Sequence, residues 1–241
     1  MEIRPPIDFY VKAIGDSDKF MKILKTLGKL GFRTVVIAYN TLDRECIFPK
    51  DSINILKLGE SIGLTTFIRI NINSNSKGDL KKCLRKIRAK VDVVSVEPKT
   101  LDVARFSGRD KRIDTVFFNY NDLVNFYDES QAKLMSQNGI ALEIPFKHLW
   151  HVGKFNYKMF FFLKRVIYYT LKFKVPLIVS SASSEIVDIK SPGQLTSLLE
   201  VLGLPEDYAK MAITSYPLAI LKRNLHKKSR KHVQRGIDVV S

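Results

Sequence analysis

Two carboxylates and two imidazoles are the natural starting points for chemistry in this 241-residue chain. Glu97 and Glu143 each sit in or just after an apolar, β-branched run. A pair of carboxylates brought face to face from such runs can serve acid/base work. His148-x-x-His151 has the spacing that puts two metal ligands on one helical face. Asp8, Asn40, Asn71, Asn119 and the pair Ser180-Ser181 also lie at the ends of strand-like runs. Each has a plainer use, capping a helix or pairing with a basic neighbour, and the histidines flank Trp150 as a surface or interface pair would. No carboxylate completes the histidine set at an informative spacing. Ser180-Ser181 lacks both a nucleophile-elbow context and a histidine partner. The plainer uses are the expected ones.

The basic residues carry a stronger signal. Forty Lys and Arg against 24 Asp and Glu give a net charge of +16. Such an imbalance repels itself unless something anionic neutralises it, and a nucleic-acid backbone does so with many phosphates at once. Two clusters stand out. Arg105, Arg109, Lys111 and Arg112 follow the fourth strand-like run, and Arg105 and Arg109 share a face if that segment is helical. Guanidinium forks match phosphate oxygens bidentately. No acidic residue lies between Asp207 and Asp238, a stretch holding Lys210, Lys222, Arg223, Lys227, Lys228, Arg230, Lys231 and Arg235. Phe106, beside the first cluster, is expected to pack inward.

The elements that must position these groups follow a repeating unit. A helical pattern ends in Gly and a β-branched run follows, at Gly31, Gly63 and Gly139. Glycine closes a helix in the left-handed conformation at little cost. Strands are expected at Ile7–Tyr10, Thr34–Ile37, Thr65–Ile70, Val93–Val96, Thr115–Phe118, Ile140–Ile144, Leu177–Ser180 and Ala212–Thr214. Ser17, Ser52 and Ser76 are expected N-caps, and Ser191-Pro192 places a cap before Pro at the first helical position. Leu80, Leu84, Ile87 and Val91 form an apolar stripe. Strands alternating with helices imply a parallel sheet, and eight such units predict a closed α/β barrel. No Gly-x-Gly-x-x-Gly supports a dinucleotide fold.

No linker-like tract divides the chain, so residues 1–225 are expected to form one barrel domain and 226–241 a basic, poorly ordered tail. Cys46 and Cys83 form no motif; no disulfide is expected, and a reducing, cytoplasmic setting fits. The apolar run Phe155 to Phe173 is interrupted by Lys158, Lys164, Arg165 and Lys172, so no membrane span is predicted. The same run is apolar on more than one face, so either a loop or another subunit is expected to cover its surplus aromatic surface.

Several stretches together resemble the ribonuclease P protein component 3 family of archaea and eukaryotes. They are Val103 to Asp114, Ala141 to Ile144, Val179 to Ser183 with Ile189 to Pro192, Leu202 to Pro205, and Tyr216 to Asn224. They run in family order over most of the chain. The resemblance implies a TIM-like (β/α) barrel related to metal-dependent phosphoesterase barrels, with the metal site absent. Asp8-Phe9-Tyr10 stands where such an enzyme would carry a His-x-His. It implies a non-catalytic subunit of ribonuclease P that stabilises the catalytic RNA, which cleaves the 5′ leader from precursor tRNA. The implied partners are that RNA, ribonuclease P protein component 2 (as a heterotetramer), the other ribonuclease P proteins and precursor tRNA, with Mg²⁺ acting on the RNA and no cofactor held by the protein.

On this reading Lys99, Arg105, Arg109, Arg112, Lys222, Arg223, Lys227 and Lys228 are the expected RNA contacts. The competing reading is a free-standing metal-dependent phosphoesterase using Glu97, Glu143, His148 and His151.

Overall fold

Helix and strand alternate because each helix buries one apolar stripe and each strand run is largely buried on both faces. The computed structural model describes residues 2–48, 52–151, 154–155, 157–228, 232–234 and 237–238. In chain order the elements are β1 (Ile7–Lys12), α1 (Ser17–Lys29), β2 (Thr34–Leu42), α2 (Ser52–Glu60), β3 (Thr65–Ser74), α3 (Lys77–Ile87), β4 (Val93–Pro98), α4 (Leu101–Ser107) and β5 (Thr115–Val116). Then come α5 (Tyr120–Phe126), α6 (Glu129–Asn138), β6 (Ala141–Pro145), a 3₁₀ turn at Phe146–Leu149, the two-residue strands β7 (Trp150–His151) and β8 (Lys154–Phe155), and α7 (Tyr157–Phe173). β9 (Leu177–Ser180), a second 3₁₀ turn at Ile186–Asp188, α8 (Pro192–Val201), α9 (Glu206–Met211), α10 (Ser215–Lys228), β10 (His232–Gln234) and β11 (Ile237–Asp238) are the remaining elements among the described residues.

Seven parallel strands form one sheet in the order β1-β2-β3-β4-β5-β6-β9, curved into a nearly closed, TIM-like barrel. The expected eighth strand, Ala212–Thr214, is absent. That segment ends α9 and turns into α10, yet it fills the gap: Ile7 donates its N–H to the Ile213 carbonyl at 2.9 Å and Val179 to the Ala212 carbonyl at 3.4 Å. At the other end of the seam Val11 bridges Ser183, with the Lys12 N–H on the Ser183 carbonyl. Three residues between two helices are too few for a ladder, but enough to satisfy both flanking strand edges.

The period of two along each strand sorts the lumen into layers. Val36, Phe67, Val93, Ala141 and Ile178 share a bottom apolar cluster with Ile7 and Phe9. Ile220 and Leu221 of α10 belong to the same cluster. The last helix therefore lies across the N-terminal ends of the strands and plugs the barrel. Asn224 Nδ2 on the Asp92 carbonyl (2.9 Å) and Lys228 Nζ on the Asp92 carboxylate (2.7 Å) pin it there.

The local rules hold with two corrections. Ser76 and Ser191 cap α3 and α8, the latter with a full capping box and Pro at the first helical position. α1 is capped by Asp16, whose carboxylate accepts from the Lys19 N–H, and not by Ser17; the carboxylate also meets the partial positive charge of the helix N-terminus. The Ser52 side chain lies outside the described residues. Gly139 closes α6 at φ 64°, as its place before β6 predicts. Leu80, Leu84 and Ile87 bury the α3 stripe while Lys81, Lys82, Arg85 and Lys86 face out.

The second correction concerns the cysteines. Cys46, after β2, and Cys83, on α3, form a disulfide with Cα atoms 5.3 Å apart. They lie 37 residues apart in sequence and share no motif. The parallel packing of neighbouring units brings them together.

Candidate functional site

The middle layer of the barrel is ionic. Arg69, in the centre of β3, is fully buried. Its guanidinium forms a 2.7 Å ion pair with Glu143 of β6. It also donates to the Phe9 carbonyl (2.8 Å), Asn71 Oδ1 (2.5 Å) and Ser95 Oγ (2.9 Å). The Tyr10 ring lies 4.6 Å from it, with Phe9 and Phe117 a little farther away. Glu143 accepts further hydrogen bonds from Ser180 Oγ (2.6 Å) and Thr115 Oγ1 (3.2 Å). A buried charge is tolerable only when paired and hydrogen-bonded on all sides, and this pair is.

Asp8 forms a second buried knot. It accepts from the backbone N–H and the hydroxyl of Ser181 and from the Tyr10 N–H. Burial pushes its carboxyl up to about 6, against the opposing pull of the Ser181 hydrogen bonds. Ser180 and Ser181 thus hold carboxylates in place.

Above these groups the C-terminal strand ends open into a cavity of about 890 Å³. Asn40, Asn71 and Asn73 line one side, and Tyr10, Phe117 and His148 line another. Asn71 Nδ2 donates to Asn40 Oδ1 at 3.0 Å, and Asn73 Nδ2 to Glu97 at 3.1 Å. Lys99 Nζ sits between Glu97 (2.5 Å) and Asp122 (3.1 Å). Burial alone would lower the Lys99 pKa, but the two carboxylates more than offset it and hold the ammonium above its usual range. Glu97 and Glu143 do not form a catalytic pair: as the plainer reading expects, each carboxylate is bound to a cation of its own.

His148 belongs to the 3₁₀ turn and not to an α-helix, so His148 and His151 do not share a helical face. Burial, first of all, lowers the His148 pKa and favours the neutral imidazole; its Nδ1 is buried without a hydrogen-bond partner. The His151 side chain lies outside the described residues. Among the described residues no group of three or more His, Cys, Asp or Glu could hold a metal ion.

The expected RNA contacts are scattered over three regions. Lys99 is at the barrel mouth. Arg105 is turned inward, onto Asp128 (2.6 Å), Gln131 Oε1 (3.1 Å) and the Phe126 carbonyl (3.3 Å). Arg109 lies just past the end of α4, exposed, with Nε on the Arg105 carbonyl. Arg112 forms a two-pronged pair with Asp110. Phe106 packs inward, under Lys81. Lys222, Arg223, Lys227 and Lys228 all lie on α10. Lys222 and Lys227 are exposed, whereas Arg223 pairs with the buried Asp114 at 2.8 Å and Lys228 with Asp92. Arg88 holds the other Asp114 oxygen at 3.0 Å. Arg230, Lys231 and Arg235 lie outside the described residues.

Sequence reasoning missed Arg69. Its signal was present: it is the lone charge in Thr65–Ile72, two positions from both Phe67 and Asn71 on the inward face. Asp92 and Asp114 were also missed. Each stands immediately before a strand, where α10 meets it.

These features define an α/β barrel whose central ionisable groups are bound to one another and whose cations are distributed over the outside and one plugging helix. The model of the family described as RNase P subunit p30 matches residues 6–229, and the chain belongs to that family. It is 28% identical over 238 residues to ribonuclease P protein component 3 of Methanosarcina acetivorans, covering 97% of this chain and 95% of the relative. The corresponding protein of Methanothermobacter thermautotrophicus is 25% identical over 222 residues, covering 89% and 88%. A chain of the cryo-EM structure of archaeal ribonuclease P with mature tRNA superposes with a TM-score of 0.82 over 98% of both chains at 22% identity, which shows the shared fold.

Proposed function

We propose that this chain acts in ribonuclease P by binding and stabilising the catalytic RNA that cleaves the 5′ leader from precursor tRNA, and supplies no catalytic group itself. The observation that carries the second half is the closed arrangement of Arg69, Glu143, Asp8, Ser180 and Ser181. A TIM-barrel enzyme works through groups presented at the C-terminal ends of its strands; here those carboxylates and hydroxyls are bound to one another. The net charge of +16 supports the first half, since phosphate binding draws on many Lys and Arg at once. Exposed Arg109 and Lys222 are the foremost contacts, with Lys227 beside Lys222 on α10. Arg105, Arg112, Arg223, Lys228 and Lys99 already hold carboxylates and reach RNA only by exchanging partners.

On this reading Mg²⁺ acts on the RNA. The protein partner is ribonuclease P protein component 2, as a heterotetramer, with other ribonuclease P proteins completing the particle. α7 supplies a surface for such a partner, since Tyr157, Phe161 and Tyr168 are exposed along it while Leu163, Val166 and Ile167 face the core.

The test is precursor-tRNA cleavage by reconstituted ribonuclease P RNA at low Mg²⁺, with and without this chain and component 2. Restored cleavage with the wild-type pair, lowered by Arg109→Ala/Lys222→Ala, is the expected result. A chain that adds nothing while its partner is active would overturn the proposal.

A further inference from the structure

The cavity at the barrel mouth is unused by the reading above, and its chemistry is specific. We propose that it is a binding site for one nucleotide unit, taking the base between the mouth's rings and amides and the phosphate on Lys12. The proposal deepens the RNA-binding reading and rests on it for where the nucleotide would come from.

Size is the first ground. About 890 Å³ holds a nucleotide, within the usual range of small-molecule sites. The rings are the second. Tyr10 and Phe117 have centroids 5.9 Å apart, and Phe117 and His148 6.0 Å apart, which groups three mutually tilted rings in the lining of the cavity. Unpaired bases are held on such rings by stacking, and neutral imidazole stacks as the other rings do. Burial keeps His148 in that neutral form.

Amides supply the edge recognition. Asn40, Asn73 and Asn121 line the cavity with both a donor and an acceptor on each side chain, the pattern that reads a base edge. Asn71 is spent on Arg69 and Asn40 and so fixes the Asn40 amide from below. Lys12 is exposed beside these groups, and no ion pair neutralises it among the described residues. Lys147, by contrast, is held by Asp188 and Ser184. A divalent cation fits the cavity poorly, because Glu97 is already bound by Lys99 and Asn73.

Two sources could provide this nucleotide: an unpaired residue of an RNA, or a free mononucleotide. The experiment uses the full chain, a short single-stranded RNA carrying 4-thiouridine, and free uridine and adenosine 5′-monophosphates as competitors. After irradiation, cross-linked peptides are mapped by mass spectrometry and affinity is measured in parallel. Cross-links are expected on the segments containing Tyr10, Phe117 or His148. Asn40→Ala and Lys12→Ala, both at exposed positions, are expected to weaken the mouth-directed binding about tenfold, the loss of one good polar contact each. Lys222→Ala is expected to leave the mouth cross-links in place. Competition by the mononucleotides would identify a free ligand, and its failure an RNA residue; either supports the site. Cross-links confined to the outer helices, binding insensitive to Asn40→Ala, or no binding of any probe would overturn it. The stimulation of precursor-tRNA cleavage is read separately with wild-type protein, so loss of the mouth site and loss of the subunit reading are told apart.

Discussion

Arg69 and Glu143 meet at 2.7 Å across the lumen of the barrel, from strands β3 and β6, with neither side chain accessible to solvent. Removing one member leaves the other charge buried and unpaired. Arg69→Met is expected to destabilise the protein by about 3–5 kcal/mol. The double variant Arg69→Met/Glu143→Leu is expected to recover part of this, but not all, because Ser180 and Thr115 lose the acceptor they now share. Urea unfolding of the single and double variants measures both effects, and additive losses would contradict the pairing.

Asp8 makes stability depend on pH in an unusual direction. Its folded pKa of about 6 lies above the ordinary 3.8, so the folded state binds the proton more tightly than the unfolded chain. The contribution of Asp8 is therefore fully present below about pH 4 and is lost as pH rises through about 6. Asp8→Asn is expected to flatten that part of the stability–pH curve. Denaturant midpoints taken across this range, wild type against variant, check the sign.

The Cys46–Cys83 bond closes a loop of 37 residues. Chain-entropy arguments give about 3–4 kcal/mol for a loop of that length. Reduction, or Cys83→Ser, is expected to lower the melting temperature, and the variant is expected to lose its sensitivity to reductant. Thiol titration of the unreduced protein under denaturing conditions should find no free cysteine.

Neighbouring cations on α10 are expected to separate cleanly. Lys222 is exposed, so Lys222→Ala is expected to leave stability unchanged and to lower the salt slope of RNA binding by about 1. Arg223 holds buried Asp114, so Arg223→Ala is expected to cost about 1–3 kcal/mol of stability. Salt titrations of binding together with thermal melts of both variants distinguish the two roles.

The helices and strands were legible because they rest on local rules. The glycine before β6, the Ser76 cap and the α3 stripe each depend on residues within a few positions of one another. The eighth barrel position was misread because Ala212–Thr214 has strand-like composition but only three residues between two helices. Asp16, one residue earlier, took the cap expected of Ser17, a shift that composition does not resolve when two good caps adjoin. The site was less legible, since its contacts are long-range. Arg69 and Glu143 lie 74 positions apart, and Arg223 and Asp114 lie 109 apart. Spacing says nothing about such pairs. It also made Arg105 look available, when three acceptors from the α5–α6 region already surround it.

The seam described above also sets an order of events during synthesis. β1 leaves the ribosome before the other six strands of its sheet, but the carbonyl that completes its outer edge belongs to Ile213, and the floor beneath it to Ile220 and Leu221. Until α10 has emerged, the nascent barrel carries an unpaired strand edge and an open apolar base. Both are the surfaces on which unfinished chains associate wrongly. Chaperone dependence of this protein should accordingly lie late in its translation, and should end when the last helix docks.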